Sequence, residues 1–249
     1  MARSGSKGLP GKHFFDFSGK PLLLQTIRQA LGTSFKVLFA SDSTSYLSMY
    51  ASLVDYVYVR SDENANDKAP KLNAIRESVE GIEKIYRTKF DCIIDLDATN
   101  PCRTVKDIIN CYRIFKKTNC DSVISVVKSR KNPYFNQIEK DPVYFFKVID
   151  DTHSVLRKNS VDVCSYEING FEKCKCKGTV TDRQSCPKTY DINANIYVYK
   201  RDFLFSNTLS PIGSDTKIYV MPDYAAFDID TKNDFDIAEM MFEKYYKGV

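Results

Sequence analysis

Residues 2–12 read Ala2-Arg3-Ser4-Gly5-Ser6-Lys7-Gly8-Leu9-Pro10-Gly11-Lys12, which places three cations and three glycines on one short segment. Glycine lets a backbone curl and present successive N–H groups to an anion. Arg and Lys neutralise the charge gathered there. A polyphosphate suits that chemistry. Far along the chain, Phe227-Asp228-Ile229-Asp230 alternates two carboxylates about an apolar residue. On an extended backbone both acids point to one side, as ligation of Mg²⁺ requires. A cationic loop with a paired-acid metal site predicts nucleotidyl transfer, with Asp228 and Asp230 as the metal ligands. Each feature also has a plainer reading. The loop charges could belong to a solvated terminus, and Asp230-Thr231 could cap the next helix.

The loop is neither a Walker A sequence nor G-x-G-x-x-G. Its C-terminal neighbours pin it between ordered elements. Phe14, Phe15 and Phe17 lead to a turn at Ser18-Gly19-Lys20, and Pro21 opens a helix over 21–31 that Gly32 stops.

Helices and strands then alternate. Phe35–Ala40 and Tyr56–Val59 read as strands, with a helix over 44–53 between them. Leu72, Ile75, Val79, Ile82 and Ile85 recur at helical spacing. Cys92–Leu96 is a strand entering the Thr99-Asn100-Pro101 loop. A helix over 104–117 and the strand Ser122–Val127 come next. Such βα alternation predicts an α/β fold with a mainly parallel Rossmann-like sheet covered on both faces. Ligands of these sheets sit beyond the carboxyl ends of the strands, so the loops at 41–43, 60–71 and 97–103 converge on one cleft. Residues 129–190 break the pattern as a β-rich excursion from the single domain spanning 1–249. Strand character returns at Asn195–Tyr199 and Lys217–Met221. A last helix over 231–246 offers Phe235, Ile237, Ala238, Met241 and Phe242 to a core.

Composition restricts the partners. The chain has 249 residues, 43% hydrophobic and 27% charged, as a soluble enzyme would. The net charge of +4 is modest and its cations are dispersed, which argues against a nucleic-acid footprint and for a small phosphate compound. No run of about 18 apolar residues could span a bilayer, and no secretory segment opens the chain. A cytoplasmic protein is expected. Among eight cysteines, Cys164, Cys174, Cys176 and Cys186 are the dense group. They contain Cys-x-Cys but no Cys-x-x-Cys, a spacing that favours free thiols over a zinc site.

The segment Ala2–Lys12 resembles the nucleotide-binding loop of the nonulosonate cytidylyltransferases, the CMP-sialic acid synthetase-like family. The resemblance recurs in order at Arg60 with Asp67, at Leu96–Thr104, at Arg183-Gln184, at Asn193 and at Asp228–Asp230, over nearly the whole chain. Asn132–Asn136, Ile94–Asp97 and Tyr190–Ala194 are more similar to the branch that activates legionaminic acid than to the branch acting on N-acetylneuraminic acid.

That resemblance implies a sheet of the nucleotide-diphospho-sugar transferase type and Mg²⁺-dependent transfer of CMP. CTP donates it to the anomeric hydroxyl of a nine-carbon keto-sugar acid, and pyrophosphate leaves. It further implies that Arg3, Lys7 and Lys12 hold the triphosphate, with Ala2, Ser6, Arg60, Asp67 and Lys71 around the nucleotide. Asp97, Arg183, Gln184 and Asn193 fall to the sugar. The 129–190 excursion is expected to pair two subunits as a homodimer and to reach the neighbour's sugar site. Three departures matter. Asp97 stands where the sialic branch usually has Gln, and Asp191 where it often has Arg. His13 replaces a usual Asn. The family also has a buried strand immediately before its Ala-Arg loop, whereas Met1 here adjoins Ala2, so a sheet short of one central strand is expected. Other CMP-sugar-acid synthetases, including those for N-acetylneuraminate, and a catalytically inactive nucleotide-binding relative remain as alternatives.

Overall fold

The structure, a computed structural model, describes the chain apart from residues 6–7, 66–68, 135, 142–144, 149–183, 185, 207 and 247–249. The elements are, in order, α1 (Leu22–Leu31), β1 (Leu38–Ser41), α2 (Thr44–Tyr50), β2 (Tyr56–Val59), α3 (Lys71–Tyr86), β3 (Cys92–Leu96), α4 (Val105–Thr118), β4 (Ser122–Lys128), β5 (Ile138–Asp141), β6 (Phe145–Val148), β7 (Tyr190–Lys200), α5 (Arg201–Leu204), β8 (Thr216–Met221) and α6 (Lys232–Tyr245). They form two compact units, one of Met1–Val127 with Asp191–Val249 and one of Lys128–Tyr190.

The larger unit holds the sheet. A four-stranded piece runs β3-β7-β4-β8, and β1 pairs with β2 in a separate two-stranded piece. The β1–β2 and β4–β8 pairs are parallel, while the long strand β7 runs antiparallel to β3. The α/β class with its mainly parallel sheet is therefore present, with β7 as the reversed member.

Strand alternation explains why helices cover both faces. Val123 and Val127 of β4 and Ile196 and Val198 of β7 pack with Ile108, Cys111 and Phe115 of α4. The intervening residues Ile124, Val126, Tyr197 and Tyr199 pack with Leu72, Ile75 and Val79 of α3. A strand buried on both sides must be apolar at every position, as β4 nearly is. On α3 the buried stripe stops at Ile82, and Ile85 is exposed. Thr104 opens α4 with a reciprocal capping box to Asp107, and Thr231 does the same for α6 with Asp234. On α6, Phe235, Ala238 and Phe242 pack on Phe17, Leu22 and Ile229 with Met241 at the margin, whereas Ile237 faces solvent.

In the smaller unit, β5 and β6 pair antiparallel. Asn132 Nδ2 donates to the Pro187 carbonyl at 2.9 Å, and Ser129 N donates to Thr189 O at 3.1 Å. Cys92, Cys102, Cys111 and Cys120 are free thiols, and burial pushes Cys92 and Cys102 up to about 12. Cys164, Cys174 and Cys176 lie outside the described residues.

Candidate active site

Three loops meet at the carboxyl ends of β1 and β3. They are the glycine-rich segment, residues 97–103 after β3, and residues 227–230 before α6. The 97–103 loop is built around Arg103, whose side chain is almost fully buried. Its guanidinium donates to the carbonyls of Asn100 (2.6 Å), Asn195 (3.0 Å) and Asp97 (3.0 Å), to Asn195 Oδ1 (2.8 Å) and to Thr26 Oγ1 (2.8 Å). Burial lowers its pKa to about 10, so it stays charged at neutral pH. Asn195 returns the bond, donating to Asn100 Oδ1 at 2.9 Å and Cys102 O at 3.1 Å. The loop backbone is thereby tied to β7 and α1, which sets the direction of Asp97.

Asp95 and Asp97 repeat the acid–apolar–acid spacing of Asp228 and Asp230. Strand geometry aims both at one side, where the first residue of α3 meets them. Lys71 Nζ lies 2.7 Å from Asp95 Oδ2 and 2.9 Å from Asp97 Oδ2. Burial opposes the lysine charge, but the two acids outweigh it and hold its pKa well above the ordinary value. Burial likewise pushes Asp97 upward, and Lys71 with the Thr99 N–H reverses this, leaving Asp97 well below the usual carboxylate range.

Thr99 links the two acid pairs. Its hydroxyl lies 2.6 Å from Asp228 Oδ1 and 3.0 Å from Asp97 Oδ1. One hydroxyl has one proton, so it donates to only one carboxylate at a time. Asp228 keeps solvent access, yet the protein atoms crowding it, together with Asp97 and Asp230, push its pKa upward. Asp230 is not the helix cap, since Thr231 takes that place. Its side chain is 74% exposed and accepts from Lys12 Nζ at 3.2 Å. Lys12 also donates to the Ile229 carbonyl and is itself buried. The loop lysine therefore fastens the glycine-rich segment to the acid pair. Gly8 completes the contact, because a Cβ there would overlap the Asp230 carbonyl oxygen.

The other end of the loop is held by Asp42. Ser4 N and Oγ donate to its two carboxylate oxygens at 2.8 and 2.7 Å. Burial pushes the Asp42 pKa upward, but these bonds prevail and hold it below the usual range. Ala2 is buried and Arg3 is half-buried. Arg60, one residue past β2, donates to the Asn64 carbonyl, and burial lowers its pKa. Its buried Nε–H has no partner among the described residues, which leaves a cationic donor without an acceptor beside the loop.

The remaining expected residues divide plainly. Ser6, Lys7, Asp67 and Arg183 lie outside the described residues, and Gln184 is exposed in the smaller unit. Asn193 is buried with its amide fully engaged. It accepts from Ser125 Oγ at 2.7 Å and donates to Ala225 O at 3.0 Å. The side chain is thus held within the sheet. Sequence reasoning assigned no role to Asp95, Thr99, Asn100, Arg103 or Asn195. The second acid–apolar–acid repeat was a usable signal for Asp95; the other four announce themselves only through contacts distant in sequence.

His13 is buried, and burial followed by the Lys12 charge lowers its pKa to about 4. The unfolded imidazole titrates near 6.5, so the unfolded chain binds the extra proton between these values. Stability from this group is complete above pH 6.5 and falls as pH drops toward 4, by up to about 3 kcal/mol. Urea melts from pH 7 to 4 should show His13→Asn losing less stability than the parent over that window. Parallel curves would exclude a neutral buried imidazole.

No helix among the described residues is long and apolar enough to cross a membrane, and those residues contain no group of three His, Cys, Asp or Glu that could hold a metal ion alone. The doubly covered sheet, the glycine-rich loop and the acid pair at the strand ends define a nucleotidyltransferase-like arrangement. The cytidylyltransferase family model matches residues 1–246, and the chain belongs to that family. The post-translational flagellin modification protein B of Campylobacter coli is 32% identical over 98% of this chain and 93% of its own length. The CMP-N,N'-diacetyllegionaminic acid synthase of Campylobacter jejuni is 34% identical over 96% of this chain and 92% of its own. Among solved structures, a CMP:2-keto-3-deoxy-manno-octonic acid synthetase complexed with CTP aligns with a TM-score of 0.61 at 13% identity, covering 98% of this chain and 96% of that one. At that identity the likeness is one of fold.

Proposed function

We propose that this cytidylyltransferase moves CMP from CTP to the anomeric hydroxyl of a legionaminic-type nine-carbon keto-sugar acid, with Mg²⁺ as cofactor. The observation that carries the reading is the meeting of the glycine-rich cationic loop with Asp228 and Asp230 at Lys12 and Gly8. The acid pair fits a hard cation. Two carboxylates stand together, and burial, then the nearby charges of Asp97 and Asp230, makes a negative Asp228 costly without one. Mg²⁺ takes one or two protein carboxylates and completes its shell with phosphate and water oxygens, so a third acid is not required. When bound, it screens phosphate charge and orients oxygens.

The chain's own part is positioning and charge neutralisation, which dominate phosphoryl chemistry. Arg3 and Lys7 are assigned to the triphosphate together with the loop N–H groups. Lys12, fixed to Asp230, sets the distance between that loop and the metal acids. The Nε–H of Arg60, without a partner among the described residues, supplies a buried donor to the nucleotide, and Asp67 and Lys71 are assigned to the same ligand. Arg103 and Asn193 hold the shape of the pocket from beneath. Asp97 stays ionised and so offers an acceptor to a sugar N–H or O–H, which favours a diamino sugar acid. Arg183 is assigned to the substrate carboxylate as a bidentate donor, beside Gln184. The unit at 128–190 is assigned to pairing two subunits, and the reaction to the cytoplasm, where CTP is made.

Incubation with CTP, Mg²⁺ and a panel of sugar acids, read as pyrophosphate release, tests this directly. A diacetyl-legionaminic acid should give the highest kcat/KM. Turnover only with N-acetylneuraminate would defeat the narrower substrate. CTP binding without turnover of any acid would make the protein a nucleotide-binding relative. In Asp97→Gln the ratio of kcat/KM for the two acids should move toward N-acetylneuraminate. An unchanged ratio removes Asp97 from sugar selection. Sedimentation should give a dimer; an active monomer at assay concentration would refute the pairing.

A further inference from the structure

The charges at the end of β3 are arranged around Lys71. Along β3, Ile94 and Leu96 pack with the α4 layer, and Ile93 packs with the α3 layer. Alternation turns Asp95 and Asp97 to the α3 side as well. Lys71 opens α3, the end of a helix at which a cation is disfavoured by the dipole, so the helix itself does not hold it there. Its ammonium is held by side chains. Nζ lies 2.7 Å from Asp95 Oδ2, 2.9 Å from Asp97 Oδ2 and 5.1 Å from the centre of the Tyr197 ring. Tyr197 is the residue that β7 places opposite Asp95. An ammonium has three N–H donors, and two carboxylates with one aromatic face occupy its three sides. The charge of Lys71 is therefore committed to the acids, and its stem is what it offers the nucleotide.

The two acids are not equivalent. Asp95 is buried, and among the described residues its Oδ2 has no partner but that ammonium. Asp97 is held at both oxygens. Its Oδ2 accepts from Lys71, and its Oδ1 accepts from Thr99 N at 3.3 Å while sharing the Thr99 hydroxyl with Asp228. A carboxylate oxygen accepts two hydrogen bonds, so Asp97 Oδ2 keeps a place for one further donor. One lysine between two acids leaves a net negative charge on the trio. Asp97 thus remains a strong acceptor although a cation touches it.

We infer that Asp95 and Lys71 are a positioning pair for Asp97, which set it to accept one neutral N–H or O–H of the sugar acid and to disfavour a free ammonium at the same place. This rests on the sugar-acid reading above. The Lys71 ammonium beside Oδ2 repels a second cation. A substrate ammonium must also give up its hydration for a carboxylate that is already paired, whereas an acylated amine presents a neutral N–H at a smaller desolvation cost. Asp95 acts through the same cation. It shares the ammonium with Asp97, so the lysine orients the Asp97 carboxylate without neutralising it. A sugar acid with acylated amines fits this arrangement better than the corresponding free amine.

The test compares the parent with Lys71→Met and with the double variant Lys71→Met/Asp95→Asn. The single change leaves Asp95 buried without its counter-ion and should lose stability. The double change removes both charges together and keeps Asp97, so it reads the sugar site in a folded protein. The measurements are kcat and KM for CTP, for a diacetyl-legionaminic acid and for its mono-deacetylated amine. In the double variant KM for the diacetyl acid should rise about tenfold, the scale of one hydrogen bond, while KM for CTP stays within about twofold. The ratio of kcat/KM for the amine over the diacetyl acid should rise about tenfold, since the repelling cation is gone. A raised KM for CTP with an unchanged ratio would give the ammonium to the nucleotide and overturn the inference. Constants unchanged for all three substrates would overturn it too, leaving the pair a packing role. A parent that turns over no sugar acid would instead defeat the sugar-acid reading, and this inference with it.

Discussion

Asp228→Asn should lower pyrophosphate release by about two to three orders of magnitude, the scale on which a single charge-stabilising group acts at a reacting centre. The amide still accepts from Thr99, so the 97–103 loop keeps its contact. The variant loses only the anionic oxygen, and with it the affinity for a hard cation. Stability should hold or rise slightly, since burial, first, and the repulsion from Asp97 and Asp230, which push the Asp228 pKa upward, no longer act on a charge. This pairing of signs separates a metal ligand from a structural acid. A near-normal rate at limiting Mg²⁺ would place the metal elsewhere. A fall in Tm with activity retained per folded molecule would make Asp228 a structural partner of Thr99.

The largest effect on stability is expected at Arg103→Met. The change leaves the carbonyls of Asp97, Asn100 and Asn195 without their shared donor inside the protein. Removing one partner of a buried charged network costs about 3–5 kcal/mol. For a chain of this size that corresponds to a fall in Tm of about 10 °C. Arg103→Lys keeps the charge but replaces a planar five-donor fork with one ammonium, so it should fall between the parent and Arg103→Met. Urea melts of the three proteins decide the matter. A loss below about 1 kcal/mol in Arg103→Met would mean that the loop is held by Asn195 and Asn100 alone.

The elements were largely legible in the chain because their signals are local. The 3.6-residue recurrence of Leu72, Ile75 and Val79 specifies the buried stripe of α3, and the apolar run of β4, broken only at Ser125 between Val123 and Val127, specifies burial on both faces. The paired acids at 228 and 230 and the glycines at 8 and 11 could also be read directly, since residue type and spacing are properties of the chain itself. Asp230 as a helix cap was equally plausible at that level. Only the fold gave the cap to Thr231 and turned Asp230 toward Lys12.

Tertiary structure also decided the partners of each charge. Lys71 and Asp97 are 26 residues apart, and Lys12 and Asp230 are 218 apart. Nothing in local spacing couples groups that meet only when β3, α3 and the loop before α6 come together. The same reason hid the role of Arg103, which looks like an ordinary charge after Pro101-Cys102 until β7 and α1 close around it. Asn193, expected at the sugar, is instead drawn inside because its position on β7 faces Ser125 and Ala225. The sequence by itself determined the fold class, the glycine-rich segment and the spacing of the acids at 228 and 230. Tertiary structure alone decided which cation each acid meets and which polar side chains turn inward, because both depend on contacts between residues far apart in the chain.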